Sequence, residues 1–195
     1  MTTLSLEQEV KTFLSNKHVK FDDNSASFKN PDFTVFWNDI PYFYLEVKEK
    51  RQKYDMSNWP EYTEETDLFI LDDLTVRKCL AYSPKSGIMI RDNLRNAYFF
   101  LSVVDLALMP RMRVNRPIER NVATLKGKWL INLNNSLKSE SIDEIFSGIR
   151  KYVGASEEIL FNTIECYGHY VEEKIGLGGI TRRPAHWDTD IKLTR

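Results

Sequence analysis

The chain has 195 residues, a length that fits one domain, or one domain carrying a sizeable appendage. With 42% hydrophobic and 12% aromatic residues it has the material for a core, which argues against a disordered chain. The 27 basic residues are matched by 28 acidic ones, for a net charge of −1, so a general polycation is excluded and any nucleic-acid surface must be a local patch.

The opening stretch MTTLSLEQEV is acidic early and lacks the apolar segment of a signal peptide. No apolar run approaches the ~18 residues of a membrane-spanning helix, so a soluble, cytoplasmic protein with no membrane partner is expected. Residues 4–19 follow a helical pattern, with Leu6, Val10, Phe13 and Leu14 on one face. Ser5 is the expected N-cap, and Glu7 and Glu9 suit the positive end of the helix dipole. Residues 20–29 are polar and read as a weak strand or loop. After Pro31 come two β-rich runs, DFTVFW and YFYLEVK, separated by the turn signal NDIP. They predict a hairpin that turns at about Asn38–Pro41. An irregular acidic connector is expected at 57–66.

Leu68, Leu71, Leu74 and Cys79 predict a helix over 67–82, stopped by Pro84 and Gly87. Strands are expected at 87–92 and along the apolar run 97–109. Residues 110–128 are basic and read as irregular, WLINL (129–133) as a strand, and 141–153 and 156–174 as two helices. The glycines Gly176, Gly178 and Gly179 mark a flexible turn; with no strand before them and no helix pattern after, they are not a dinucleotide loop. A strand–helix–strand crossover places its second strand parallel in the same sheet, giving a mixed sheet with helices on both faces.

The hairpin carries the chemistry. Glu46 and Lys48 alternate with Leu45 and Val47, so the charged pair shares one face of its strand. A turn at about Asn38–Pro41 sets Asp32 opposite Glu46–Lys48 to within about one residue of register, although a slip of one residue would send Asp32 to the other face. Two carboxylates and an ammonium then converge at the hairpin's open end. Magnesium binds oxygen and is usually held by one or two carboxylates plus water and substrate phosphate. Asp32 and Glu46, with the Val47 carbonyl, form such a donor set. The chemistry that fits is phosphodiester hydrolysis, with Lys48 orienting or deprotonating the attacking water or stabilising charge on the phosphate.

Pro31-Asp32 followed by Glu46-Val47-Lys48 resembles the PD-(D/E)xK nuclease superfamily, which includes many restriction endonucleases and archaeal Holliday-junction resolvases. The resemblance spans roughly residues 4–92. It implies an α/β fold with a restriction-endonuclease-like αβββαβ core and a mixed central sheet. Residues 93–195, which match no family motif, would be an α+β extension of the same single domain. It further implies a Mg2+-dependent DNA endonuclease, with Mn2+ able to substitute, that leaves a 5′ phosphate and a 3′ hydroxyl. Members often place a glutamate of the first helix beside the metal; EQEVKTFLSNKHV is similar to the resolvase helix and points to Glu7, then Glu9, which helical phase does not separate. A junction or branched-DNA resolvase is the alternative within nucleases. A catalytically inactive nucleic-acid-binding or structural protein on this fold is the alternative outside them. Cutting both strands of a duplex needs two sites, which makes a homodimer plausible.

Arg111, Arg113, Arg116, Arg120, Lys126 and Lys128 fall between positions 111 and 128, offset only by Glu119. They are candidates for phosphate contacts on double-stranded DNA, and Arg113 or Arg116 for guanine edges. Against this stands a solvated loop paired with Glu61, Glu64 and Glu65. Lys50, Arg51 and Lys53 either extend the phosphate track past the ExK strand or form an ordinary exposed strand end. Trp59, Trp129 and Trp187 can stack on bases, with core packing favoured for Trp129. Asp67, Asp72 and Asp73 are a rival metal cluster, but neighbours on a helix do not share a face, so solvated or capping roles are expected. The two cysteines, Cys79 and Cys166, suit free thiols, and the scattered His18, His169 and His186 make no zinc site.

Overall fold

The computed structural model describes residues 4–117, 125–162, 173–174 and 179–180. Cys166, His169, Gly176, Gly178, His186, Trp187, Glu119 and Arg120 lie outside the described residues. Helix α1 (Leu6–Asn16) starts on a capping box: the Ser5 side chain accepts from the Gln8 amide and Gln8 reaches back to the Ser5 amide. Leu6, Val10 and Leu14 are buried, as the spacing requires.

Strands β1 (Phe21–Asp23), β2 (Phe33–Trp37) and β3 (Ile40–Lys50) follow. β2 and β3 join through the two-residue turn Asn38–Asp39, whose φ angles of 50° and 60° are those of a type I′ turn. The register pairs Phe33 with Leu45, and its one irregularity, between Val35 and Phe36, lies on the turn side of that pair. The next position back along β2 therefore sets Asp32 level with Glu46.

Strand β4 (Leu68–Asp72) and helix α2 (Asp73–Leu80) occupy the stretch where one long helix was expected. The run Leu68–Leu71 is apolar on both sides, and Asp72 and Asp73 start the helix there; a short apolar run does not distinguish strand from helix by periodicity. Strand β5 (Ser86–Asp92) then pairs in parallel with β3, Glu46 beside Ile88 and Lys48 beside Ile90. The run expected as one strand over 97–109 divides into β6 (Ala97–Ser102) and α3 (Val103–Leu108). Ser102 and Asp105 form a second capping box, and that Ser-x-x-Asp spacing starts the helix.

The basic segment is not irregular. It forms β7 (Met112–Pro117), and β8 (Leu125–Asn132) extends the expected strand at 129–133 backward. Along β7, Met112 and Val114 are half-buried while Arg113 and Asn115 are exposed, the period of two of a strand with one wet face. After β9 (Leu137–Ser139), one helix, α4 (Ile142–Asn162), replaces the first expected pair member and runs into the second; Glu173–Lys174 (β10) pairs with Gly179–Ile180 (β11), so the expected helix does not reach 174.

The central sheet has the order β1-β2-β3-β5-β6-β9, with β3 and β5 parallel and the other pairs antiparallel. It is the expected mixed sheet. A second sheet, β4-β8-β7, stands apart from it. α1 and α4 cover one face of the central sheet: Phe13 stacks on Phe146 at 4.5 Å, and Tyr152 of α4 meets Phe43 and Phe100 edge-on. α2 covers the opposite face, where Lys78 meets Glu46.

Candidate active site

Asp32, Glu46 and Lys48 come together at the open end of the hairpin. Lys48 Nζ lies 2.6 Å from Glu46 Oε1 and 3.7 Å from Asp32 Oδ2, and it also donates to the Val47 carbonyl at 3.0 Å. Asp32 Oδ2 accepts the Val47 amide at 2.9 Å, which fixes its carboxylate over the second strand. Asp32 is only 5% exposed and Glu46 1%. Two carboxylates this close and this dry are costly to hold in a fold unless cations offset them.

Two lysines do so here. The second, Lys78, comes from α2: its Nζ is 2.7 Å from Glu46 Oε2 and donates to the Asn30 carbonyl at 3.2 Å. Oε2 itself is buried without an aligned hydrogen bond. Sequence reading missed Lys78, which is one of many charged residues on an amphipathic helix. Only the docking of α2 on β3 selects it. Tyr82, four residues on, stacks on Tyr44 at 4.0 Å and donates to Asn30 Oδ1. From Lys78 to Tyr82 the chain thus follows β3 backward from Glu46 to Tyr44. Asp73, about 7 Å the other way along the helix, lies toward the Lys48–Lys50 end.

Burial is the main influence pushing the Asp32 carboxyl above its ordinary range, reinforced by the like charge of Glu46; Lys48 and the Val47 amide pull it back only in part. For Lys48, burial acts to lower the ammonium's value, but Glu46 and Asp32 together outweigh it and raise it. The two upward shifts are compatible because Glu46 is the closer partner of Lys48. Lys48 is therefore a cation at neutral pH, which suits electrostatic stabilisation better than proton abstraction.

Glu7 lines the adjoining cleft with Ser5, Val47, Lys48, Glu49 and Arg51. It does not join Asp32 and Glu46 in a cluster of three acidic, histidine or cysteine ligands; among the described residues there is none. Glu9 is committed elsewhere, to Arg91 at 2.7 Å and to the Tyr98 hydroxyl. The donor set at the centre is two carboxylates and a carbonyl, all hard oxygens, with one buried carboxylate oxygen lacking an aligned hydrogen bond. That set fits a magnesium-like cation.

The other expected contacts divide. Lys50 is 2% exposed and buries its ammonium against Glu65 and the carbonyls of Glu65, Thr66 and Leu68, so it is a structural residue and not part of a phosphate track. Arg51 is exposed and paired with Glu49 at 2.5 Å. On the ribbon, Lys126 and Lys128 both grip Asp72, and Arg113 reaches Asp73 at 2.9 Å. The basic segment thus pairs with these aspartates rather than with Glu61, Glu64 and Glu65, and Asp67, Asp72 and Asp73 are held as ion-pair partners. Arg111 and Arg113 lie over Trp129, and Arg116 lies 4.6 Å from the ring of Trp59. Trp129 is buried, and its indole donates to Asp73.

No protein-family model matches the chain, and no curated protein sequence does. Among solved structures, the chain is similar to a nuclease from a fusselovirus, with 8% identity and a TM-score of 0.44 over 77% of this chain and 88% of that one. A likeness this loose carries no argument about activity. No helix among the described residues is long and apolar enough to cross a membrane.

Proposed function

We propose that the protein is a Mg2+-dependent nuclease of the PD-(D/E)xK type that hydrolyses phosphodiester bonds in DNA, acting as an endonuclease. The observation that carries this reading is the meeting of Asp32, Glu46 and Lys48 at the hairpin's open end, two buried carboxylates sharing one lysine ammonium. Asp32, Glu46 and the Val47 carbonyl would hold the cation, with Glu7 at the border of the same cleft. Held there, the cation would supply positive charge to the reacting phosphate and would make water more acidic.

The chain's own groups do the rest. Lys48 is cationic and partly exposed, and it moves from Glu46 to a non-bridging phosphate oxygen, where it stabilises the charge that builds during in-line attack by water. The 3′ oxygen leaves, and the products are a 5′ phosphate and a 3′ hydroxyl. The Val47 amide keeps Asp32 oriented throughout. The ribbon of β7 and β8 meets α2 through Arg113 and Asp73, the helix whose Lys78 reaches Glu46, and its exposed arginines would contact the backbone of duplex DNA near the cut. Two copies would cut both strands.

The test uses supercoiled plasmid and a labelled four-way junction with Mg2+, with Mn2+ and with EDTA, for the wild type and Lys48→Ala. Metal-dependent nicking that falls by about 100-fold or more in the variant is expected. Binding without cutting under either metal would leave a nucleic-acid-binding protein in place of an enzyme. Preferential cutting of the junction would make it a resolvase.

A further inference from the structure

Glu46 is held from both ends by different lysines. Lys48 takes Oε1 from the same strand, and Lys78 takes Oε2 from α2. The two are not equivalent. The Lys48 side chain is 35% exposed and opens to the cleft, whereas that of Lys78 is 10% exposed and is tied on its other side to the Asn30 carbonyl, one residue before Pro31-Asp32. Lys48 can leave for a substrate, but Lys78 has nowhere else to go.

Two carboxylates and two ammoniums also make the cluster neutral as it stands. A divalent cation entering between Asp32 and Glu46 must therefore meet the charge of any lysine that stays. Like charges at these separations repel appreciably, even with an effective dielectric of about 20.

We infer that Lys78 is a positioning residue that sets the orientation of Glu46 and weakens cation binding at the site, trading affinity for the metal against a correctly aimed ligand. This rests on the nuclease reading above and assigns Lys78 a role within it. Lys78 touches neither substrate nor cation. It fixes the Glu46 carboxylate by its buried oxygen and bridges it to the loop that carries Asp32, so both carboxylates stay in register when Lys48 departs. Tyr82 braces the same loop through Asn30 Oδ1 at 2.8 Å. A site preorganised in this way needs less rearrangement at the moment of reaction.

The experiment measures Mn2+ binding to the DNA-free protein by electron paramagnetic resonance, alongside plasmid nicking at saturating Mn2+. It uses the wild type, Lys78→Met, Lys78→Gln and Lys78→Arg. Removing the charge should tighten Mn2+ binding by about fivefold while lowering the saturated rate by about tenfold or more. Lys78→Arg should restore both toward wild type. Lys78→Gln keeps a donor at Glu46 without the charge, so it covers the case in which the methionine variant fails to fold. Weaker or unchanged Mn2+ binding in the folded neutral variants overturns the proposal, since a merely structural lysine would lower affinity and rate together. An unchanged saturated rate overturns it as well. A wild type that neither binds Mn2+ nor nicks plasmid refutes the nuclease reading itself, whereas normal wild-type cutting with the wrong response at Lys78 refutes only this inference.

Discussion

The same small arrangement occurs at both of the larger sheets, with different surroundings. In the central sheet Lys48 and Lys78 grip Glu46, which is 1% exposed; in the second sheet Lys126 and Lys128 grip Asp72, whose side chain is 33% exposed. Around Asp72 water can replace either partner, so the pairing is a surface convenience of two lysines on one strand face. Glu46 itself is closed off from solvent, and a second carboxylate, Asp32, stands close by. Burial turns an ordinary charge cluster into one whose parts depend on each other, and the charges that a fold retains at such cost are candidates for chemistry.

The contrast is broken most directly by neutralising each carboxylate. Glu46→Gln should lower stability by about 3 kcal/mol, because the buried Lys78 ammonium and the half-buried Lys48 ammonium both lose their closest partner. Asp72→Asn should cost about 1 kcal/mol or less, its lysines turning to solvent. Urea denaturation of both variants without metal measures this, and equal losses would mean that burial is not what separates the clusters.

Packing offers a second comparison. A Cβ added at Gly87 in β5 would stand 2.6 Å from the Leu101 carbonyl and from the Phe100 ring, and a backbone carbonyl cannot swing aside. At Gly127 in β8 the nearest atom is the Asp73 Cβ at 3.1 Å. Gly87→Ala is expected to destabilise by about 2 kcal/mol and Gly127→Ala by less than about 1 kcal/mol, read from thermal melting.

Acid sharpens the comparison with the smallest effect. For Asp72, burial alone raises the carboxyl, but Lys126 and Lys128 override it and hold it below its ordinary value. Asp73 is held low first by the Trp129 indole, against some desolvation, with help from Arg77 and Arg113. A depressed folded-state value contributes stability above the unfolded-state value of about 4, and that contribution disappears as pH falls through the folded-state value. Trp129 fluorescence should therefore report loosening of the ribbon at acid pH, and Asp72→Asn should flatten that part of the titration. An unchanged acid profile in the variant would show that Asp72 does not hold β8.

How much of this could be read beforehand follows from how local each signal is. The Ser5 N-cap, the β-rich runs around Asn38 and the alternation of Glu46 and Lys48 are short-range patterns, and they point to α1, the hairpin and the shared face of Glu46 and Lys48. The register that brings Asp32 level with Glu46 depended on the turn, where a one-residue slip would have moved it to the other face. β4 was hidden because Leu68–Leu71 is apolar on both sides and fits a helical stripe as well as a strand buried on both faces. α3 was legible in principle from Ser102-x-x-Asp105, but it follows directly on an apolar strand and was absorbed into it. The ribbon's alternation, Met112 and Val114 against Arg113 and Asn115, was masked by its charge. Lys78 and the burial of Lys50 have no local signature at all, since each depends on which segment lies above β3.

The buried Lys50 ammonium has a mechanical side. It ties the last residue of β3 to the carbonyls of Glu65, Thr66 and Leu68 at the entrance to β4, so the central sheet and the β4-β8-β7 sheet are bolted where the strand leaves the cleft. Any rocking of one sheet against the other would have to strip that cation of its carbonyls together. The span between the Asp32–Glu46–Lys48 cluster and the arginine-bearing strand β7 is then held like a fixed gauge, and if the chain cuts duplex DNA as proposed, the duplex would have to bend or shift to suit it.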